Sequence, residues 1–225
     1  MTTDEIREKL SSKKSADRRR SAKEIGKLKI YDLAEELYQK YLIEKSDTRT
    51  WETQCEMIKT LGSLDFKKAI NEIEQIVQKN IPHDTITIVS GTTYVQLKRK
   101  SIYDGSPVLE LLEFGSVSLI HGAHLVLAID KMKPRENEIK KILSQSKDIN
   151  KHKDLIGHEF GLMDSRQYLA IACANWDLEL TQDFLKHCID TAYNISSFGK
   201  PVLNQNLIDV CQNSLNGKYS KAYLP

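Results

Sequence analysis

The sequence predicts an all-α chain: a solenoid of about five antiparallel helix pairs with terminal capping helices. Two observations carry the prediction. Residues 24–37, EIGKLKIYDLAEEL, and residues 60–73, TLGSLDFKKAINEI, repeat one pattern of apolar residues, glycine and acids in step. An offset of 36 sets Ile25 over Leu61, Gly26 over Gly62, Leu28 over Leu64, Ile30 over Phe66 and Leu37 over Ile73. Each unit also divides into two segments with apolar residues three and four apart, the spacing of one buried helical face. One helix pair cannot bury both its faces, so such pairs gain a continuous core only by stacking.

The first two units occupy about residues 15–45 and 47–80. Another step of 36 takes Ile58 to Tyr94, Leu61 to Leu97, Ile73 to Leu109 and Ile76 to Leu112, which places a third unit at about 83–114, without the glycine. A step of 32 then takes Tyr94 to Val126 and Leu97 to Ile129, and PRENEIKKIL (134–143) supplies the second helix of a fourth unit at about 116–146. The fifth, about 162–193, pairs DSRQYLAIACANW (164–176) with ELTQDFLKHCIDTAY (179–193) after an insertion, SQSKDINKHKDLIGHEFG (144–161). Residues 201–216 form a C-terminal cap, and the whole chain reads as one domain. Pro82, Pro107, Pro134 and Pro201 each precede an apolar-periodic run, where a missing amide proton costs nothing. The run TITIV (85–89) has strand-like residues, but the register continues through it and predicts helix.

Composition narrows the class. With 225 residues, 40% hydrophobic and 28% charged, the chain can bury a full core. Its longest apolar stretch, VSLIHGAHLVLAI (117–129), is too short to span a bilayer, and MTTDEIREKL lacks the plan of a signal peptide. A cytoplasmic location is the expectation. Cys55, Cys173, Cys188 and Cys211 lie in apolar runs without metal-ligand spacing and read as reduced core residues. A net charge of +2 does not by itself call for nucleic acid.

DRRRSAKEIGKLKIYDLAEEL (17–37) has an acid, basic residues, Ala22, then Ile25 with Gly26 and a second helix; the fifth unit keeps Asp164, Arg166, Ala170, Ala172 and Ala174. This order resembles the HEAT-repeat family, in particular the short bacterial repeats of the phycobilisome-lyase type, over roughly residues 15–193. The resemblance implies an α-solenoid whose second helices line a concave, partner-binding side. The second unit departs from it, with Gln54 and Cys55 where the first has basic residues.

Within that frame the sequence offers few chemical motifs. GxSxG, Walker, GxGxxG and HExxH patterns do not occur, and the chain is read as a non-enzyme without a cofactor. His121 and His124 share a helical face but have no third ligand, so they read as core. His158–Glu159 is the one His-Glu dyad, whereas the HEAT-repeat iron hydroxylases acting on a modified lysine carry such dyads across units. Trp51 and Trp176 read as core at helix ends rather than as the base-holding aromatics of HEAT-like alkylpurine DNA glycosylases. A bilin-attaching lyase would need a cysteine in a pocket pattern, and none is recognisable.

The expected function is therefore protein–protein interaction on the concave face, as adaptor or inhibitor, with toxin immunity one concrete form. In the second unit Ala69, Ile70, Ile73, Ile76 and Val77 make the apolar stripe, which turns Lys68, Asn71, Glu72 and Gln75 outward. Equivalent partner-binding positions are Glu36, Gln39 and Lys40, then Arg135, Glu138 and Lys141, then Gln182, Lys186 and Asp190. Their mixed charge suits a protein better than a phosphate backbone. The alternative is a DNA-associated protein, a relative of base-excision glycosylases, that uses the basic cluster around Arg18, Arg19, Arg20 and Lys23. The same cluster also fits a solvated terminal cap, which keeps the end of a solenoid soluble.

Overall fold

The computed structural model describes residues 2–114, 116–147, 164–195 and 201–225, and they form an all-helical chain apart from one short β-ribbon. The contacts divide it into two compact units, residues 1–98 and 99–225. No described helix is long and apolar enough to cross a membrane.

The first unit holds α1 (Thr3–Leu10), α2 (Ser15–Leu28), α3 (Ala34–Glu44), α4 (Trp51–Ser63), α5 (Ile70–Lys79) and α6 (Thr85–Lys98). Thr2 and Glu5 close α1 with a reciprocal capping box. Asp84 opens α6 by accepting from the Thr87 amide at 2.7 Å and its hydroxyl at 2.6 Å. The TITIV run is helical, as the register requires. Its β-branched residues are overridden because α6 packs against both α4 and α5.

The repeated glycine has a structural cause. Helices α2 and α4 pack in parallel. Ser15 meets Thr53 at their N-terminal ends (Oγ to Oγ1, 2.7 Å), the Thr60 hydroxyl donates to the Ala22 carbonyl at 2.9 Å, and Lys29 Nζ donates to the Ser63 carbonyl at 2.5 Å. Two of these three contacts have counterparts one step on, where the Thr93 hydroxyl donates to the Ile58 carbonyl at 3.2 Å and Lys67 Nζ to the Leu97 carbonyl at 2.5 Å. A Cβ on Gly26 would stand 3.0 Å from Thr60 Oγ1; one on Gly62 would stand 2.3 Å from Gln96 Oε1 and 3.0 Å from Thr93. Absence of a side chain is what lets each first helix approach the next. Fully buried Ile25, Met57, Ile58, Leu61 and Ile73 fill the space between, each worth about 1.5–3 kcal/mol in apolar burial.

The helix ends repeat as well. Lys29 and Asp65, 36 residues apart, both take φ 53°. Each closes a Schellman motif: the Ile30 amide reaches the Ile25 carbonyl and Lys29 that of Gly26, and the Phe66 amide reaches Leu61 and Asp65 reaches Gly62. This is why Ile25/Leu61 and Ile30/Phe66 coincide in sequence. Leu28 breaks the equivalence, since it is 52% exposed where Leu64 is buried.

The second unit holds α7 (Ser106–Phe114), α8 (Val117–Ile129), α9 (Glu136–Lys147), α10 (Arg166–Cys173), α11 (Leu178–Asp190) and α12 (Gln205–Leu215). In it α8 packs on α10 and α10 on α12, while α7 packs on α9 and α9 on α11. Every residue from Ser118 to Ala128 and from Arg166 to Cys173 is buried. A third Schellman motif ends α8, with Lys131 at φ 47°, Met132 bonded to Leu127 and Lys131 to Ala128. The residue equivalent to Leu61 is thus Leu127. Ile129, which the step of 32 selects, is 37% exposed, so the expected register is off by two residues there.

Two further expectations change. Pro201 starts no helix: it lies in β2 (Pro201–Leu203), paired antiparallel with β1 (Tyr193–Ile195), and α12 follows under an Asn204 cap. Trp51 is not core, being 46% exposed at the first position of α4. Trp176 is half-buried and its indole N–H donates to the Met132 carbonyl at 2.8 Å. Most of the expected insertion, with His158 and Glu159, lies outside the described residues.

Candidate partner-binding surface

In the first unit the expected outward residues lie on α3, on α5 and, for Lys68, in the turn (Lys67–Ala69) that enters α5, but an ion-pair ladder joins many of them across helices. Arg7 donates to Glu36 at 2.9 Å, Lys68 to Glu35 at 2.7 Å, Lys45 to Glu72, and Lys98 to Glu74 at 2.9 Å. Gln39 adds a bond to Glu35 at 3.0 Å. Hydrogen bonds from Lys68 and Gln39 hold the Glu35 carboxyl below its ordinary pKa. Exposed pairs of this kind contribute about 0–1 kcal/mol each, so their main effect is to orient the side chains and cancel charge. Lys40, Asn71 and Gln75 have no such partner among the described residues. The sequence pattern places all these residues on one face but cannot show that they pair with each other, because the pairing depends on the spacing between helices.

In the second unit Glu138 does not face solvent. It is 7% exposed, and its carboxylate accepts from the amides of Gly105 (3.2 Å) and Arg135 (3.0 Å). Glu138 stands at the third position of α9, where a glutamate commonly reaches back to the capping residue; that signal was present in the sequence. Arg135 is exposed and pairs with Glu138 at 3.3 Å. Lys141 lines an open groove of 510 Å³ with Leu109, Glu113, Lys140, Ser144 and Gln145. On α11, Lys186 and Asp190 are exposed and Gln182 is half-buried.

The basic cluster is divided by the fold. Arg18 is not free to meet a phosphate: its Nε and Nη2 donate to Glu44 at 2.6 and 2.8 Å, and its Nη1 to the carbonyls of Ser12 and Lys13 at 2.8 and 3.0 Å. Glu44 has 3% of its side chain exposed. Burial would push its carboxyl pKa up, but the bonds from Arg18, Thr50 and Ser15 outweigh burial and hold it low. Arg19 pairs with Glu52. Arg20 and Lys23 remain exposed on α2.

The polar groups buried in the second unit hold structure together. His124 uses both ring nitrogens, toward the Ser165 carbonyl (3.1 Å) and the Ser146 hydroxyl (2.8 Å). His121 packs edge-on against Tyr168 at 5.0 Å. Burial lowers the His121 pKa to about 4 and the His124 pKa to about 3, so both rings are neutral at pH 7. Arg166 and Asp164 form a buried pair at 2.6 Å that also ties down Thr191. The four thiols are buried, and burial raises that of Cys55 to about 11. Among the described residues no group of three or more His, Cys, Asp or Glu is placed to hold a metal.

Comparison with known proteins returns no family model, no curated protein and no solved structure that matches this chain.

Proposed function

We propose that this chain is a non-enzymatic interaction protein, a small HEAT-like solenoid that binds a protein partner through its second-helix face and acts as an adaptor or inhibitor, neutralisation of a toxin being one form. The carrying observation is the recurrent parallel stacking of α2 on α4 and α4 on α6 through the same glycine, threonine and lysine contacts. Stacking that uses the first helices as spine leaves the second helices to present side chains, the arrangement by which repeat proteins offer long binding surfaces. Lys40, Asn71 and Gln75 in one unit, and Lys141, Lys186 and Asp190 in the other, are the side chains offered. The nucleic-acid reading is weaker, since two of its arginines are engaged by Glu44 and Glu52.

The test is affinity capture of the full chain from source-cell lysate, split into nuclease-treated and untreated halves. A stoichiometric protein that survives nuclease, and is lost from a Lys141→Glu/Lys186→Glu variant that folds normally, supports the reading. Recovery of nucleic acid with proteins lost on nuclease treatment, or recovery of no stoichiometric protein, overturns it.

A further inference from the structure

The first unit also has an exposed apolar edge. Because α2, α4 and α6 run parallel, the turns that enter them, residues 11–14, 45–50 and 80–84, lie along one side of the unit. Flanking the middle turn are Ile43, 69% exposed, and Trp51, 46% exposed; the next turn carries Ile81, 48% exposed. Single exposed apolar residues are ordinary. Tryptophan is among the residue types that dominate interface energetics, and Trp51 lies on the turn side that also carries exposed Ile43 and Ile81.

The charges around this edge point to the chemistry of its occupant. Asp17 accepts from the Ser12 hydroxyl, Glu44 from Arg18, Asp47 from Arg49, and Asp84 from Thr87, while Glu52 pairs with Arg19. Glu44, Asp47 and Glu52 are paired with arginines, whereas Asp17 and Asp84 keep their charge but are half-buried and hydrogen-bonded within the unit. Lys13, Lys14 and Lys79 are exposed and have no ion pair or side-chain hydrogen bond among the described residues. The exposed charged side chains of the three turns and the end of α5, Lys13, Lys14, Lys45, Arg49 and Lys79, are therefore all positive, whereas the ladder beside α3 and α5 largely cancels its own charge.

We propose that this edge, with Trp51 as its anchor, is a docking surface for an acidic protein segment that carries apolar side chains. The proposal rests on the interaction-protein reading and adds a second contact region to it. Trp51 and Ile43 supply the apolar contact, and the lysines supply steering and choice of charge sign.

Binding of three synthetic peptides to the full chain tests it: an amphipathic glutamate–leucine peptide, the same pattern in lysine and leucine, and the same pattern in glutamate and serine. The glutamate–leucine peptide is expected to bind, and the other two at least about tenfold more weakly. Trp51→Ala is expected to weaken it about tenfold or more, and Lys13→Glu/Lys14→Glu to weaken it and flatten its salt dependence. Thermal melting checks each variant's fold; Ile43→Ser, at the most exposed position, carries the test should Trp51→Ala not fold. Equal binding of the lysine–leucine peptide, no binding of any peptide, or unchanged affinity in the Trp51 and Ile43 variants overturns the proposal. So does sedimentation showing a dimer that Trp51→Ala dissociates, since the occupant would then be a second copy. A captured partner retained equally by these variants sinks the edge alone, whereas capture of no partner sinks the interaction reading itself.

Discussion

Arg18→Ala separates the structural role of the basic cluster from any role in binding. The substitution removes two charge-assisted bonds to Glu44 and two bonds to the carbonyls of Ser12 and Lys13. It leaves a carboxylate with 3% side-chain exposure and a hydroxyl donor from Ser15 at 3.1 Å. Breaking a buried pair by removing one partner costs about 3–5 kcal/mol. At ~2–4 °C per kcal/mol for a chain of this size, Tm falls by roughly 10 °C. The pH dependence is the sharper readout. In the native chain the Glu44 pKa is held low, so the pair's stabilisation is fully present above the ordinary carboxylate pKa and fades as pH falls through the folded value. Without Arg18, only the Ser15 and Thr50 bonds oppose burial, so the folded pKa of Glu44 rises and protonation costs the variant less stability than it costs the native chain as pH falls. The stability gap, measured by urea unfolding at pH 7 and pH 4, is expected to be large at pH 7 and smaller at pH 4. A gap under about 1 kcal/mol at pH 7, or one that widens at pH 4, refutes the assignment of Arg18 to Glu44.

Three other outcomes follow from the packing. Gly62→Ala should destabilise by about 1 kcal/mol or more by urea midpoint, although alanine is the better helix former, because the new methyl meets a buried threonine that is itself hydrogen-bonded. Asp164→Ala should cost about 3–5 kcal/mol by leaving Arg166 buried and unpaired, and equal melting temperatures would contradict that. The depressed pKa values of His121 and His124 mean that the stability they contribute is complete above the ordinary histidine pKa and is lost as pH falls toward about 4 and about 3. His121→Phe keeps the edge contact with Tyr168 and removes one titration, so its urea midpoint should drop less between pH 7 and pH 5 than that of the native chain.

What could be read from sequence followed from local repetition. Ile25, Gly26 and Ile30 echo in Leu61, Gly62 and Phe66 because three local devices coincide: a buried face, a close helix approach and a Schellman stop. Register failed in the fourth unit because α8 keeps the stop without the glycine and is buried all round, so periodicity has no polar side to mark phase. The candidate surface was legible only in outline. Solvent-facing positions on α5 and α11 follow from spacing, but the partners of Glu36, Lys68 and Glu72 lie about one repeat away or on α1, and only the packed structure selects them. Trp51 was misread because large aromatics are usually buried, and helix-first position alone says nothing about which side a ring faces.

The hydrogen bonds that join α2 to α4 and α4 to α6 link residues 30 to 38 positions apart in the chain. No long closure has to be made before any of them forms, and loop entropy at these separations is nearly the same for each step. As the chain leaves the ribosome, α4 can settle on α2 while α6 is still being made, and α6 can then settle on α4. Assembly of the first 98 residues is therefore able to keep pace with synthesis, each new repeat finding a finished template beneath it.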